Sequence, residues 1–145
     1  MSQSATDELQ ATVNIVEETY EFCLAYAAKG VSGLMARTGD TQARDQLEKL
    51  AQALPNLADV FLNVVEENEG DGREQYKGFI EVLRRDAEAG HAAVLLVLAQ
   101  QNITSQMVDN LNGMIHLRAL LTDVFLIDEM LRPEAEQPLH IQPAE

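Results

Sequence analysis

Four stretches of this chain repeat apolar residues at intervals of three and four, and none alternates apolar with polar residues as a half-buried strand would. That period commits the chain to helices, placed at about 6–29, 41–68, 73–101 and 104–132. Gly30, Gly33 and Gly39 follow the first stretch, and the run Asn68-Glu69-Gly70-Asp71-Gly72 follows the second. Asp40 or Thr41 can cap the second helix, and Thr104 or Ser105 the fourth. Arg132-Pro133 should end the last helix, because a residue before proline is pushed out of the helical region. Pro55 falls inside the second stretch, yet Leu47, Leu50, Leu54, Ala58, Phe61 and Val65 hold one helical phase across it. A helix kinked at Pro55 is therefore expected rather than a loop. The fold class that follows is all-α: an antiparallel four-helix bundle over residues 1–132, with a flexible, proline-bearing tail over 133–145.

Electrical balance then narrows the function. Ten basic residues stand against 24 acidic ones, a formal net charge of −14. Such a surface repels phosphates, so nucleic acid and anionic membrane are not expected partners. It suits solubility or a basic protein partner. The single cysteine, Cys23, permits no intrachain disulfide and no cysteine-based zinc site. Lying between Phe22 and Leu24, it reads as a small buried apolar residue. The first residues, MSQSATDELQ, carry neither the basic nor the apolar part of a signal peptide. The apolar run AAVLLVLA is too short to span a bilayer. A cytoplasmic location is the expectation.

Glu88 and His91 stand three residues apart on the third helix, a spacing by which helical bundles offer ligands to a metal pair. Within that helix, however, Glu88 falls in line with Lys77, Glu81, Arg84 and Arg85, opposite the apolar face of Tyr76, Phe79, Ile80, Leu83, Ala87, Val94 and Val97. Pairs Glu81–Arg85 and Arg84–Glu88 at i,i+4 spacing are expected there. The motif and the helical outline resemble the ferritin-like di-iron family, including bacterioferritin-like proteins. The resemblance implies a metal-binding protein that stores or oxidises iron, with iron or manganese held by Glu18, Glu88, His91 and His116. Glu17 or Glu21 could take the place of Glu18, and Glu48, Glu66 or Glu67 would serve the second helix. The family pattern is not complete: Gly113 stands three residues before His116 where a Glu is needed, and Glu88-x-x-His91 falls on the third helix rather than the second or fourth. On the fourth helix, Asp109, His116 and Asp123 share a strip at successive i+7 positions, about 10 Å apart along the axis. They would need groups from another helix to act together. No nucleophile elbow, phosphate-binding loop or paired acidic motif of the helical pyrophosphohydrolases is present.

Apolar surface is the stronger sign. Leu117, Leu120, Val124, Ile127 and Leu131 run at 3-4-3-4 spacing beside a second row of Met107, Leu111, Met114, Leu121 and Phe125. On the first helix, Ile15, Phe22 and Tyr26 flank the row Leu9, Val13, Val16, Tyr20 and Leu24. If one row on each helix serves the chain's own core, the other calls for a partner helix. A homodimer or larger homo-oligomer built on Ile15, Phe22, Tyr26, Leu117, Leu120, Val124, Ile127 and Leu131 is expected. The chain would then be a scaffold or adaptor acting by protein contact, with no cofactor and no catalytic signature. The charge makes a separate prediction: because salt screens repulsion among the carboxylates, the melting temperature should rise between low salt and about 0.15 M. A flat or falling trend in thermal denaturation would show local ion pairs outweighing the net repulsion.

Overall fold

The computed structural model describes residues 3–29, 34–67, 72–113 and 115–131, all-helical apart from the turn and loop residues that flank α3 and precede α4. Among the described residues five helices follow in order: α1 (Gln3–Lys29), α2 (Leu34–Glu67), α3 (Arg73–Leu98), α4 (Ser105–Gly113) and α5 (Ile115–Leu131). The tail expected after residue 132 lies outside the described residues, as does Met114 between α4 and α5. Among the described residues, no helix is long and apolar enough to cross a membrane.

Helix α2 starts earlier than its periodicity suggests. It begins at Leu34, so Gly39 lies inside it and Asp40 and Thr41 are interior residues, not caps. An interior glycine costs a helix only about 1 kcal/mol relative to alanine, which neighbouring turns can absorb. Pro55 is likewise enclosed by α2. It is exposed, so the carbonyl four residues back, which loses its amide partner, can face water. Leu47, Leu50, Leu54, Leu57, Ala58, Phe61, Val64 and Val65 are all buried, one stripe continuing past the proline.

Helix α3 opens on Gly72, whose φ of +88° belongs to the left-handed region that side chains disfavour. Its buried stripe is Ile80, Leu83, Ala87, Gly90 and Val94. At Gly90 three helices converge: a side chain there would meet Leu54 of α2 and Leu117 and Leu120 of α5. On its other flank α3 is tied to α2 by ion pairs, Lys77 to Glu66 at 3.2 Å and Arg84 to Asp59 at 3.1 Å. Arg84 also reaches Glu81 at 3.4 Å, so its partners are Asp59 and Glu81 rather than the Glu88 expected from spacing alone. Asp59 on the neighbouring helix lies within reach of the same guanidinium, which helical spacing cannot reveal.

Polar ties fix the end of the molecule where α3 gives way to α4. The Arg44 guanidinium of α2 donates to the carbonyls of Leu98 at 2.8 Å and Gln100 at 2.9 Å, satisfying groups a helix C-terminus leaves unpaired. The Tyr26 hydroxyl of α1 donates to the Ile103 carbonyl at 2.8 Å. Thr104 caps α4 as expected, its Oγ1 accepting from the Met107 amide at 3.1 Å. Helix α4 packs against α1 while α5 packs chiefly against α3.

The rows assigned to a partner helix lie elsewhere than expected. Leu117, Leu120, Val124 and Ile127 are buried in the chain's own core, and Leu131 packs on its margin. Tyr26 is buried too, while Ile15 and Phe22 are half-buried, with Phe22 stacked on Tyr26 at 5.7 Å between ring centroids. The α5 row is internal because α5 meets α3 along that face. The outcome for Leu120→Ala is therefore a loss of about 2–5 kcal/mol in stability, measured by denaturant titration. A loss of oligomers with stability unchanged would instead return Leu120 to an outer surface.

Candidate contact surface and an internal acid pair

Two of the carboxylates expected as metal ligands face solvent. Glu18 and Glu88 are exposed on α1 and α3, whereas a bridging carboxylate must face the bundle interior. His91 is half-buried on α3, and His116 belongs to α5 with its side chain outside the described residues. Among the described residues, no group of three or more His, Cys, Asp or Glu is placed to hold a metal ion. Cys23 is buried, and burial pushes its thiol up to about 11, so it stays protonated and unreactive near neutral pH.

One acidic group from the α5 strip does acquire unusual chemistry. Asp123 is 9% exposed, and its Oδ2 is buried without a hydrogen-bond partner. Its carboxyl is raised from an ordinary 3.8 to about 7, first by burial, then by the hydrogen bond and the negative charge of Asp86 on α3. In its protonated form Asp123 can donate to Asp86, and that form spares the α3–α5 contact the cost of a buried carboxylate. Sequence reasoning placed Asp123 on a strip with Asp109 and His116. It missed Asp86, because the pairing exists only across two helices. Asp109 is exposed and takes no part. Further along the strip, the Asn112 amide, buried without a protein partner, borders a cavity of about 10 Å³, the size of a single water.

A wide opening lies between α3 and α4. It is a groove of about 680 Å³ walled by Ala89, Ala92, Leu96 and Val97 on α3 and by Met107 and Leu111 on α4, with Gln100 and Asn110 at its rim. Leu96 is 66% exposed and Leu95 is 47% exposed. A smaller groove of about 310 Å³ lies at the other end, where Tyr76 and Phe79 of α3 face Leu126 and Met130 of α5. Both grooves set large apolar side chains in open concave surfaces, which makes them the candidate contact sites of this chain. The sequence signal for the first groove was present in AGHAAVLLVLA, whose apolar residues exceed what one buried stripe uses. The charged residues just before it drew that face into a solvated reading.

Comparison with protein-family models, with curated proteins and with solved structures yields no match to this chain.

The acid pair carries a pH prediction. With Asp123 raised, the folded chain holds one proton more than the unfolded chain between about pH 4 and 7. Its contribution to stability is full below 3.8 and is lost as pH rises through about 7. Thermal denaturation should give a higher melting temperature at pH 5 than at pH 8. Asp123→Asn should shrink that difference by a few degrees, since about 1 kcal/mol moves the midpoint by roughly 2–4 °C in a chain of this size. An undiminished difference in the variant would assign the effect to general charge repulsion.

Proposed function

We propose that this chain works by protein contact, as a small acidic helical scaffold or adaptor that self-associates, and that a helix docks in the groove between α3 and α4. The observation that carries the reading is the groove itself: an open, mostly apolar surface of about 680 Å³, with Leu96 standing 66% exposed on its wall. Fully burying a leucine is worth roughly 1.5–3 kcal/mol, so association is the way such a wall leaves water. Amphipathic helices recognise apolar grooves by laying one apolar face into them.

The proposal includes the architecture that presents the groove. An antiparallel four-helix bundle, with α4 and α5 together as its fourth arm and a bend in α2 at Pro55, agrees with α2 packing between α1 and α3 and with the fourth arm spanning α1 and α3. The ferritin-like outline belongs to this proposal as a shape, without a metal centre. The net charge of −14 limits which faces can meet: acidic faces repel one another, so contact belongs where charge is low.

Light scattering at tens of micromolar tests the reading. The wild-type protein should be a dimer or larger, and Leu96→Glu should yield a folded monomer of equal helicity, because exposed positions tolerate substitution within about 0.5 kcal/mol. A monomeric wild type would overturn self-association. An associated Leu96→Glu variant would move the contact away from the groove.

A further inference from the structure

The outer face of α3 has a pattern that its own bundle does not use. Gly78, Val82, Arg85, Ala89, Ala92 and Leu96 follow one another at intervals of 4, 3, 4, 3 and 4, the spacing of a coiled-coil seam. On a helix turning about 100° per residue this row stands well away from the buried stripe of Ile80, Leu83, Ala87, Gly90 and Val94. All of the row is exposed except half-buried Ala89, and Val82 is 41% exposed. Gly78 is the most telling member. A side chain built there would meet nothing within 4 Å, so no packing inside the chain calls for a glycine, a residue that weakens a helix interior.

From this we infer that α3 pairs antiparallel with α3 of a second copy, about a two-fold axis level with residue 87. The inference rests on the self-association proposed above and names its partner and register. In that register Leu96 of one copy lies over Gly78 of the other, Val82 over Ala92, and the stem of Arg85 over Ala89. Each layer sets a large side chain against a small one, as interdigitating helices require. The seam is about 27 Å long, from the 1.5 Å rise per residue.

Charge selects the same partner and orientation. Helix α3 carries Arg73, Lys77, Arg84 and Arg85 against Glu74, Glu81, Asp86 and Glu88, equal numbers of each sign. On α1, by contrast, Asp7, Glu8, Glu17, Glu18 and Glu21 stand against Lys29 alone. On α2, Asp40, Asp45, Glu48, Asp59, Glu66 and Glu67 outnumber Arg37, Arg44 and Lys49. Of the three long helices, α3 is therefore the one that can approach its own copy without net repulsion. Parallel pairing would set Arg85 beside Arg85 and Leu96 beside Leu96. Antiparallel pairing instead sets Arg85 over the small Ala89 and brings it within a turn of Glu88 on the other copy.

Cysteine crosslinking on the full chain tests the register, since native Cys23 is buried and does not compete. Val82→Cys and Ala92→Cys are made as separate variants, mixed in equal amounts and mildly oxidised at tens of micromolar. The expected result is a mixed disulfide dimer from the pair and little from either variant alone. In parallel, Gly78→Leu should weaken the dimer at least tenfold by light-scattering dilution while helicity is kept, because Leu96 of the second copy loses its gap. If the protein is dimeric but each variant crosslinks chiefly with itself, or no pairing occurs, the antiparallel register is overturned and self-association stands. A dimer indifferent to Gly78→Leu also overturns the register. A monomeric wild type removes both.

Discussion

A helix has one circumference to divide among its neighbours, and in this protein the division made by α3 sets the rest. One strip, Ile80 through Val94, is buried in the core. On one side of that strip, Lys77 and Arg84 are ion-paired to α2. On the other side, Asp86 meets Asp123 of α5. What remains is a face of glycine, valine, alanine and leucine, with Arg85 among them, that is exposed except at half-buried Ala89. The groove follows from that division, because α4 stands against α1 and only borders the C-terminal half of α3.

The acid pair and the net charge belong to one electrostatic problem. A chain with 24 acidic residues and 10 basic ones cannot place every carboxylate far from another. Most of them sit on the surface, where water and salt reduce the repulsion. Asp123 is held between helices instead, and holding a proton is less unfavourable there than burying a second negative charge. The α3–α5 contact thereby becomes sensitive to pH. Equal numbers of each sign on α3 have the opposite consequence: they leave that helix without net charge in a strongly acidic molecule.

Cross-helix hydrogen bonds give the bundle its definition at one end. Arg44 and Tyr26 both reach carbonyls between the end of α3 and the start of α4, drawing that connection onto α1 and α2. Gln46 donates to Thr19 Oγ1 at 3.0 Å, and Thr19 in turn donates to the Ile15 carbonyl at 2.7 Å, so a buried hydroxyl is satisfied within the α1–α2 contact. These bonds order an apolar core that would otherwise tolerate sliding of one helix along another.

Much of this was readable in the sequence. The 3.6-residue period determined that the chain is helical, where α3 runs to within a few residues, and which residues of α2 are buried on both sides of Pro55. Composition determined the charge, and Thr104 announced its helix start, because capping is chemistry between near neighbours in the chain. Tertiary structure decided what periodicity could not: which of two apolar rows on one helix turns inward. Leu117, Leu120, Val124 and Ile127 have the spacing of an interface, yet they are core, since α5 presents that face to α3. The pairing of Asp123 with Asp86, and of Arg84 with Asp59, was decided there too. Period and spacing report how residues are arranged around one helix axis; burial and pairing depend on which other axis lies alongside, and that is set by packing between segments far apart in the chain.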